Sequence, residues 1–151
     1  MKHLKLFEKL TFDIEEDQEG FDGDRVTIKA FLDEVEVGKI IIEFVYSGFW
    51  MFEDEISEDK YDELFPDDKF VKIEYLEVYD KFKGKRYSKY LMNECLKFIK
   101  EKGEDIVYLN ASPMGFTGLN NEELINFYKS FGFETFIKYP ENEEMILKLG
   151  N

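Results

Sequence analysis

A chain of 151 residues, 44% hydrophobic and 17% aromatic, carries enough apolar material to bury the core of one globular domain, expected to span residues 1–151. Its 34 acids against 20 bases give a net charge of −14. That balance excludes nucleic-acid binding through the general surface, which needs cation-rich faces that displace counterions; the single cysteine and single histidine, Cys95 and His3, exclude an intrachain disulfide, a zinc site and a Ser–His–Asp or Cys–His catalytic group.

Taken in order, His3 to Ile14 places Leu4, Leu6, Leu10, Phe12 and Ile14 at even positions and reads as a strand, with a helix as the alternative because of Phe7 and the Glu/Lys content. Residues 15–24 read as an acidic loop with two glycines. Arg25–Leu32 and Val37–Tyr46 are β-rich runs joined at the Asp33–Glu36 corner, the pattern of an antiparallel hairpin. The aromatic stretch Val45–Phe52 reads as a turn or strand extension serving core or dimer contact ahead of a substrate pocket. Residues 53–68 hold nine acids and one lysine. Within them a short helix is expected from Ser57, its N-cap, to Phe65, and its acids read as a solvated face ahead of an acceptor entrance.

The stretch Ile73–Lys102 organises the rest. A β-rich run ends near Tyr79, and Tyr87, Leu91, Cys95, Phe98 and Ile99 then fall on one face of a helix. Between them Lys81, Lys83, Lys85, Arg86 and Lys89 form an island of five cations with no acid from 81 to 89. A helix N-terminus offers unpaired backbone N–H groups and the positive end of the macrodipole, and Gly84 lets the preceding backbone approach an anion closely. A phosphate cradle is one reading; a strand-to-helix turn with solvated lysines is the commoner use of such residues.

Beyond Gly103, Ile106–Leu109 reads as a buried strand and Asn110–Leu119 as a small-residue loop able to shape part of a pocket. Asn120 or Asn121 caps a helix, with Glu123 placed to cap back and Leu124, Phe127, Tyr128 and Phe131 on its apolar face. After Gly132, Phe133–Tyr139 and Glu144–Leu149 read as two closing strands. No apolar run reaches the roughly 18 residues of a membrane span, and no signal-peptide core follows Met1–Lys5, so a soluble, cytoplasmic protein without membrane or metal partners is expected.

Two of these stretches resemble one family. Val78–Ser88 followed by Tyr90–Leu91–Met92 resembles the acetyl-CoA signature of the GNAT N-acetyltransferases: a strand ending in Val, an aromatic, Arg-Gly-x-Gly-x-Gly/Ala and a helix with Leu-Leu. Lys83 stands for the family's Arg or Gln and Ser88 for its last small residue. Arg86 occupies the second glycine position; pointing outward it leaves its amide available to an anion, and pointing inward it requires a different loop. Asn121–Phe133 is similar to the second motif, Asn-x-x-Ala-Ile-x-Phe-Tyr-x-x-x-Gly-Phe, with Leu124 in place of Ala. The resemblance spans residues 70–149.

The resemblance implies an α+β fold (an α/β sandwich): a mixed, largely antiparallel twisted sheet of about six to seven strands flanked by helices and splayed between the fourth and fifth strands. It implies acetyl-CoA as acyl-donor cosubstrate, its pyrophosphate held at Lys83, Gly84, Lys85, Arg86, Tyr87 and Ser88, its acetyl carbonyl at main-chain N–H groups near Leu76 to Val78, and its arm at Asn121. Tyr128 becomes the general acid for the leaving thiolate, since a phenol with an ordinary pKa of about 10 can share a proton with a thiol. Glu74, Glu77 or a water chain is the candidate base; alternation puts the two glutamates on opposite sheet faces, so at most one reaches a shared site. The expected activity is direct acetyl transfer to a primary amine in a ternary complex, with no covalent enzyme intermediate. The negative charge favours a cationic acceptor, a small molecule or a protein, although a solubility role explains that charge equally well. The alternatives are a non-enzymatic binding protein whose acidic surface engages a basic partner, and an acyl-CoA sensor. A homodimer is compatible with the sequence.

Overall fold

The computed structural model describes residues 10–19, 23–84, 86–112 and 119–150; for 17–19 it describes the backbone only. His3, Lys85 and the loop residues 113–118 lie outside the described residues. Seven strands form one mixed sheet: β1 (Leu10–Glu19), β2 (Asp24–Leu32), β3 (Val35–Tyr46), β4 (Lys69–Val78), β5 (Ile106–Ala111), β6 (Glu134–Lys138) and β7 (Glu143–Lys148), in the order β1-β2-β3-β4-β5-β7-β6. The β4–β5 pair is parallel and the others are antiparallel. Three α-helices accompany them: α1 (Glu58–Leu64), α2 (Tyr87–Glu101) and α3 (Asn121–Lys129).

Local chemistry explains most of the boundaries. β2 and β3 turn over Asp33 and Glu34, both at positive φ (50° and 76°), the backbone of the two-residue turns that match the right-handed twist of hairpin strands. Ser57 caps α1 by accepting from the Lys60 N–H at 3.1 Å. Asn120 and Glu123 make a reciprocal capping box at the start of α3. Gly103 and Gly132, at φ +84° and +103°, end α2 and α3.

β1 corrects the expected lead-in: residues 15–19, expected as loop, belong to the strand, which runs to Glu19 and pairs there with Asp24. Composition alone hid this. An acid-rich edge strand holds its extended form through its ladder to β2, and the Lys29 ammonium meets the Glu15 carboxylate at 3.0 Å.

The sheet divides the core in two. Ile28, Ile40, Ile42, Val71, Ile73, Leu91, Met92, Cys95, Leu109 and Met145 belong to one cluster, with α2 packed on β2–β4 and α3 on β5. Cys95 is fully buried, which pushes its thiol pKa upward. Val45, Phe52, Tyr61, Phe65, Phe70 and Tyr108 form the second cluster, beneath α1. The aromatic stretch before α1 therefore packs, with Phe52 stacked on Phe65 (5.6 Å, 6°) and edge-on to Tyr108 (5.0 Å, 84°), while Trp50 is half exposed.

Two backbone features shape the sheet centre. A Cβ on Gly38 would lie 2.4 Å from the Glu77 carbonyl oxygen and 3.0 Å from the Val78 Cα, so glycine lets β3 and β4 meet closely under Leu91 of α2. In β4, Ile42 pairs with Ile73 but Ile41 pairs with Tyr75. Glu74 is therefore surplus to the ladder, a β-bulge, and bulges bend and twist the strand that carries them. Parallel pairing of β4 with β5 runs only from Val71↔Val107 to Ile73↔Leu109; the two strands part where the bulge begins.

Candidate functional site

The parting strands leave unpaired backbone at a defined edge. The Tyr79 N–H donates to the Val37 carbonyl at 2.9 Å. Successive N–H groups of a strand face opposite edges, so those of Leu76 and Val78 face away from β3, toward the side that β5 has left. The V between the strands holds a cavity of about 290 Å³ lined by Ile73, Glu74, Leu76, Asn110, Leu124 and Tyr128 among others. Its lining combines apolar side chains and Tyr128 with the polar Lys72, Glu74, Asn110 and Ser112.

Tyr128 reaches the cavity because α3 packs on β5, and Leu124 and Tyr128, four residues apart, share a helix face. Its ring meets Phe127 (5.4 Å, 62°) and Phe133 (5.9 Å, 65°) edge-on. Burial pushes its hydroxyl pKa from 10.0 up to about 12, because an ionised phenolate is poorly solvated there. The group is thus a protonated donor across the neutral range. Asn121, in the first turn of the same helix, holds its Oδ1 buried without a hydrogen-bond partner among the described residues. Residues 121, 124 and 128 fall on one helix face, so this free acceptor sits on the side of α3 that meets the cavity.

The two glutamates of β4 differ from expectation. The bulge resets the alternation, and both stand on the sheet face opposite α2: Glu77 pairs across with Lys39, and Glu74 meets Arg25 of β2, Oε2 to Nε 3.0 Å. That contact joins charges without an aligned hydrogen bond from Nε. Glu74 lines the cavity. Glu77 accepts a hydrogen bond from the Tyr75 hydroxyl at 2.8 Å and is not among the cavity's lining residues.

The basic turn follows β4 directly. Gly84 adopts φ +81° with open space where a Cβ would sit. α2 begins without a side-chain cap, unlike α1 and α3, and its N-cap, Arg86, is in the left-handed region (φ 65°, ψ 15°). The Arg86 side chain is exposed. Lys83 Nζ pairs with Asp80 at 2.9 Å, Lys81 lies over the Phe82 ring, and Phe82 meets Tyr87 edge-on at 6.1 Å. Gly84, Arg86, Tyr87 and Ser88 thus surround an uncapped helix start, a backbone arrangement suited to an anion; Lys85, also expected in the turn, lies outside the described residues. A β-carbon in the left-handed region costs about 1 kcal/mol. Arg86→Gly is therefore expected to raise stability by about that amount, seen as a higher urea midpoint at unchanged m-value.

Residues 110–119, read from sequence as a small-residue loop able to shape part of a pocket, do contribute to one: Asn110, at the end of β5, and Ser112 line the cavity, as does Lys72, which the sequence did not single out. A further local signal for Asn110 and Ser112 was their place at the end of β5, where strands of an open sheet commonly meet ligands.

A family model described as the acetyltransferase (GNAT) family matches residues 3–133. Among solved structures, the PaiA N-acetyltransferase from Thermoplasma acidophilum in complex with coenzyme A superposes with a TM-score of 0.58 at 18% identity, over 83% of this chain and 61% of that one. Arylalkylamine N-acetyltransferase 2 from Aedes aegypti gives 0.57 at 15% identity, covering 82% and 73%. Arabidopsis thaliana Naa50 in complex with the bisubstrate analogue CoA-Ac-MVNAL gives 0.53 at 23%, covering 81% and 71%. The chain spans about three fifths of the PaiA chain. Comparison with curated proteins by sequence gave no match.

Proposed function

This chain belongs to the acetyltransferase (GNAT) family, and from that premise we propose that it transfers an acetyl group from acetyl-CoA to a primary amine by direct attack in a ternary complex. What supports the reading is the V itself: Leu76, whose N–H has no ladder partner from β5 among the described residues, and Tyr128 border one cavity, with the Val78 N–H further along the same edge of β4.

When bound, acetyl-CoA supplies a thioester carbonyl as electrophile. The uncapped start of α2, with Gly84, Lys85, Arg86, Tyr87 and Ser88, holds its pyrophosphate through backbone N–H groups, and the lysines around them, Lys83 included, add charge. The orphaned Asn121 Oδ1 fits an amide N–H of the cosubstrate's arm; an unpaired buried acceptor costs about 1–3 kcal/mol until a donor arrives. The N–H groups of Leu76 and Val78 donate to the carbonyl oxygen as negative charge develops on it. Tyr128 protonates the departing thiolate. Glu74, in the cavity and already drawn to Arg25, is the nearer of the two candidate bases, and Glu77 stands outside the cavity.

The test has two stages. Calorimetric titration with acetyl-CoA at moderate salt is expected to show saturable binding, and none measurable near 1 mM, roughly 4 kcal/mol of affinity, overturns the assignment. Mass spectrometry of acetyl-CoA incubated with spermidine, kanamycin, L-lysine, phenethylamine and Met- and Ala-initiated peptides then reads the acceptor. Cosubstrate binding with no acetylated product would favour the binding-protein alternative.

A further inference from the structure

The cavity's β5 wall carries a second, separate hydrogen-bond arrangement. Glu144 of β7 is buried, and its Oε1 accepts from the Tyr108 hydroxyl at 2.7 Å and from the Asn110 Nδ2 at 2.7 Å. The other Nδ2 contact of Asn110 is to the Asn142 Oδ1 at 3.0 Å. A carboxylate only accepts hydrogen bonds, so the NH₂ end of Asn110 must face Glu144. With both N–H groups engaged, the Oδ1 is the end left toward Ser112, whose hydroxyl donates to it, and both residues line the cavity. An amide oxygen has two lone pairs; Ser112 takes one.

We propose that Asn110 is the acceptor-amine recognition residue, presenting its second Oδ1 lone pair to an N–H of the incoming amine, and that Glu144 is the positioning residue that fixes this orientation. The inference rests on the amine-acetylation reading above and deepens it. The two walls of the V then have opposite polarity: β4 offers donors, which suit a carbonyl oxygen, and β5 offers an acceptor, which suits the nucleophile. Without Glu144, the Asn110 amide is free to rotate and present N–H donors, which repel an amine's hydrogens and compete for the lone pair that must attack. Asn110 takes no proton itself. In the step it serves, the N–C bond forms and the C–S bond breaks. The surplus proton on nitrogen passes to Glu74, the base proposed above, and from it to solvent; the thiolate takes the Tyr128 proton, and tyrosinate regains one from water.

The test uses the full chain, the acetylated amine from the pool above, and steady-state kinetics with calorimetry. Asn110→Ala is expected to raise the acceptor KM about tenfold, the loss of one hydrogen bond, with the acetyl-CoA Kd unchanged. If the alanine form is unstable, Asn110→Ser serves with the same expectation. Glu144→Gln should raise the same KM at least threefold, and the double variant should be no worse than Asn110→Ala alone, because Glu144 acts through Asn110. An unchanged acceptor KM in Asn110→Ala, or effects that multiply in the double variant, would overturn the proposal while leaving amine acetylation standing. Absence of any acetylated amine with the unaltered protein overturns both.

Discussion

Tyr128→Phe is expected to lower turnover about a hundredfold, within the range of a lost general acid, while leaving the acetyl-CoA Kd and the melting temperature close to those of the parent. The ring contacts to Phe127 and Phe133 survive the change, and only the hydroxyl is removed. Burial has raised that hydroxyl's pKa to about 12, so it stays protonated until pH approaches that value, and no alkaline fall in rate below it can come from Tyr128 losing its proton. The sign for stability follows from the same shift. Between the ordinary value of 10.0 and about 12 the unfolded tyrosine ionises and the folded one does not, so the folded state loses stability as pH rises through that window. Thiol release measured from pH 6 to 10 checks the kinetic part; turnover equal to that of the parent with the acceptor identified removes Tyr128 from its role.

Phe52→Ala carries the largest expected cost in stability, about 3–5 kcal/mol out of the 5–15 kcal/mol typical of a folded domain. Phe52 is 1% exposed and meets Tyr61, Phe65, Phe70, Tyr108 and Phe136 within 5.0–6.2 Å between centroids. Large-to-small changes among fixed rings leave a cavity that neighbours cannot fill, because each ring is held by several others. A thermal melt followed by circular dichroism should show a fall of roughly 10 °C; a shift under about 2 °C would mean that the cluster collapses to fill the space. Tyr108 is one of those rings and also donates to Glu144, so the loss should reach the β5 wall of the cavity.

Features decided within a few residues were legible in the sequence. The Ser57 cap, the Asn120–Glu123 capping box, the turn at Gly84 and the apolar face of α2 all depend on neighbours in the chain. Features decided by a distant partner were not. β1 extends through an acidic stretch because β2 pairs with it. The face on which Glu74 stands depends on one surplus residue in the β3–β4 ladder, which strict alternation cannot foresee. Asn110 reads as a loop residue until Glu144, 34 residues on, shows which end of its amide is free. The left-handed backbone of Arg86, with its exposed side chain, likewise has no signature in the residue type itself.

The bulge at Glu74 also says what kind of sequence change could make or erase the site. β4 is one residue longer than its ladder with β3 requires, and the slack falls at the point where β5 lets go. Side-chain exchanges along these strands tune the opening but leave its existence intact. Deleting one residue there would restore the count, let pairing zip onward past Leu109, and seal the cleft into ordinary sheet. The opening is thus a property of chain length, gained or lost by insertion and deletion.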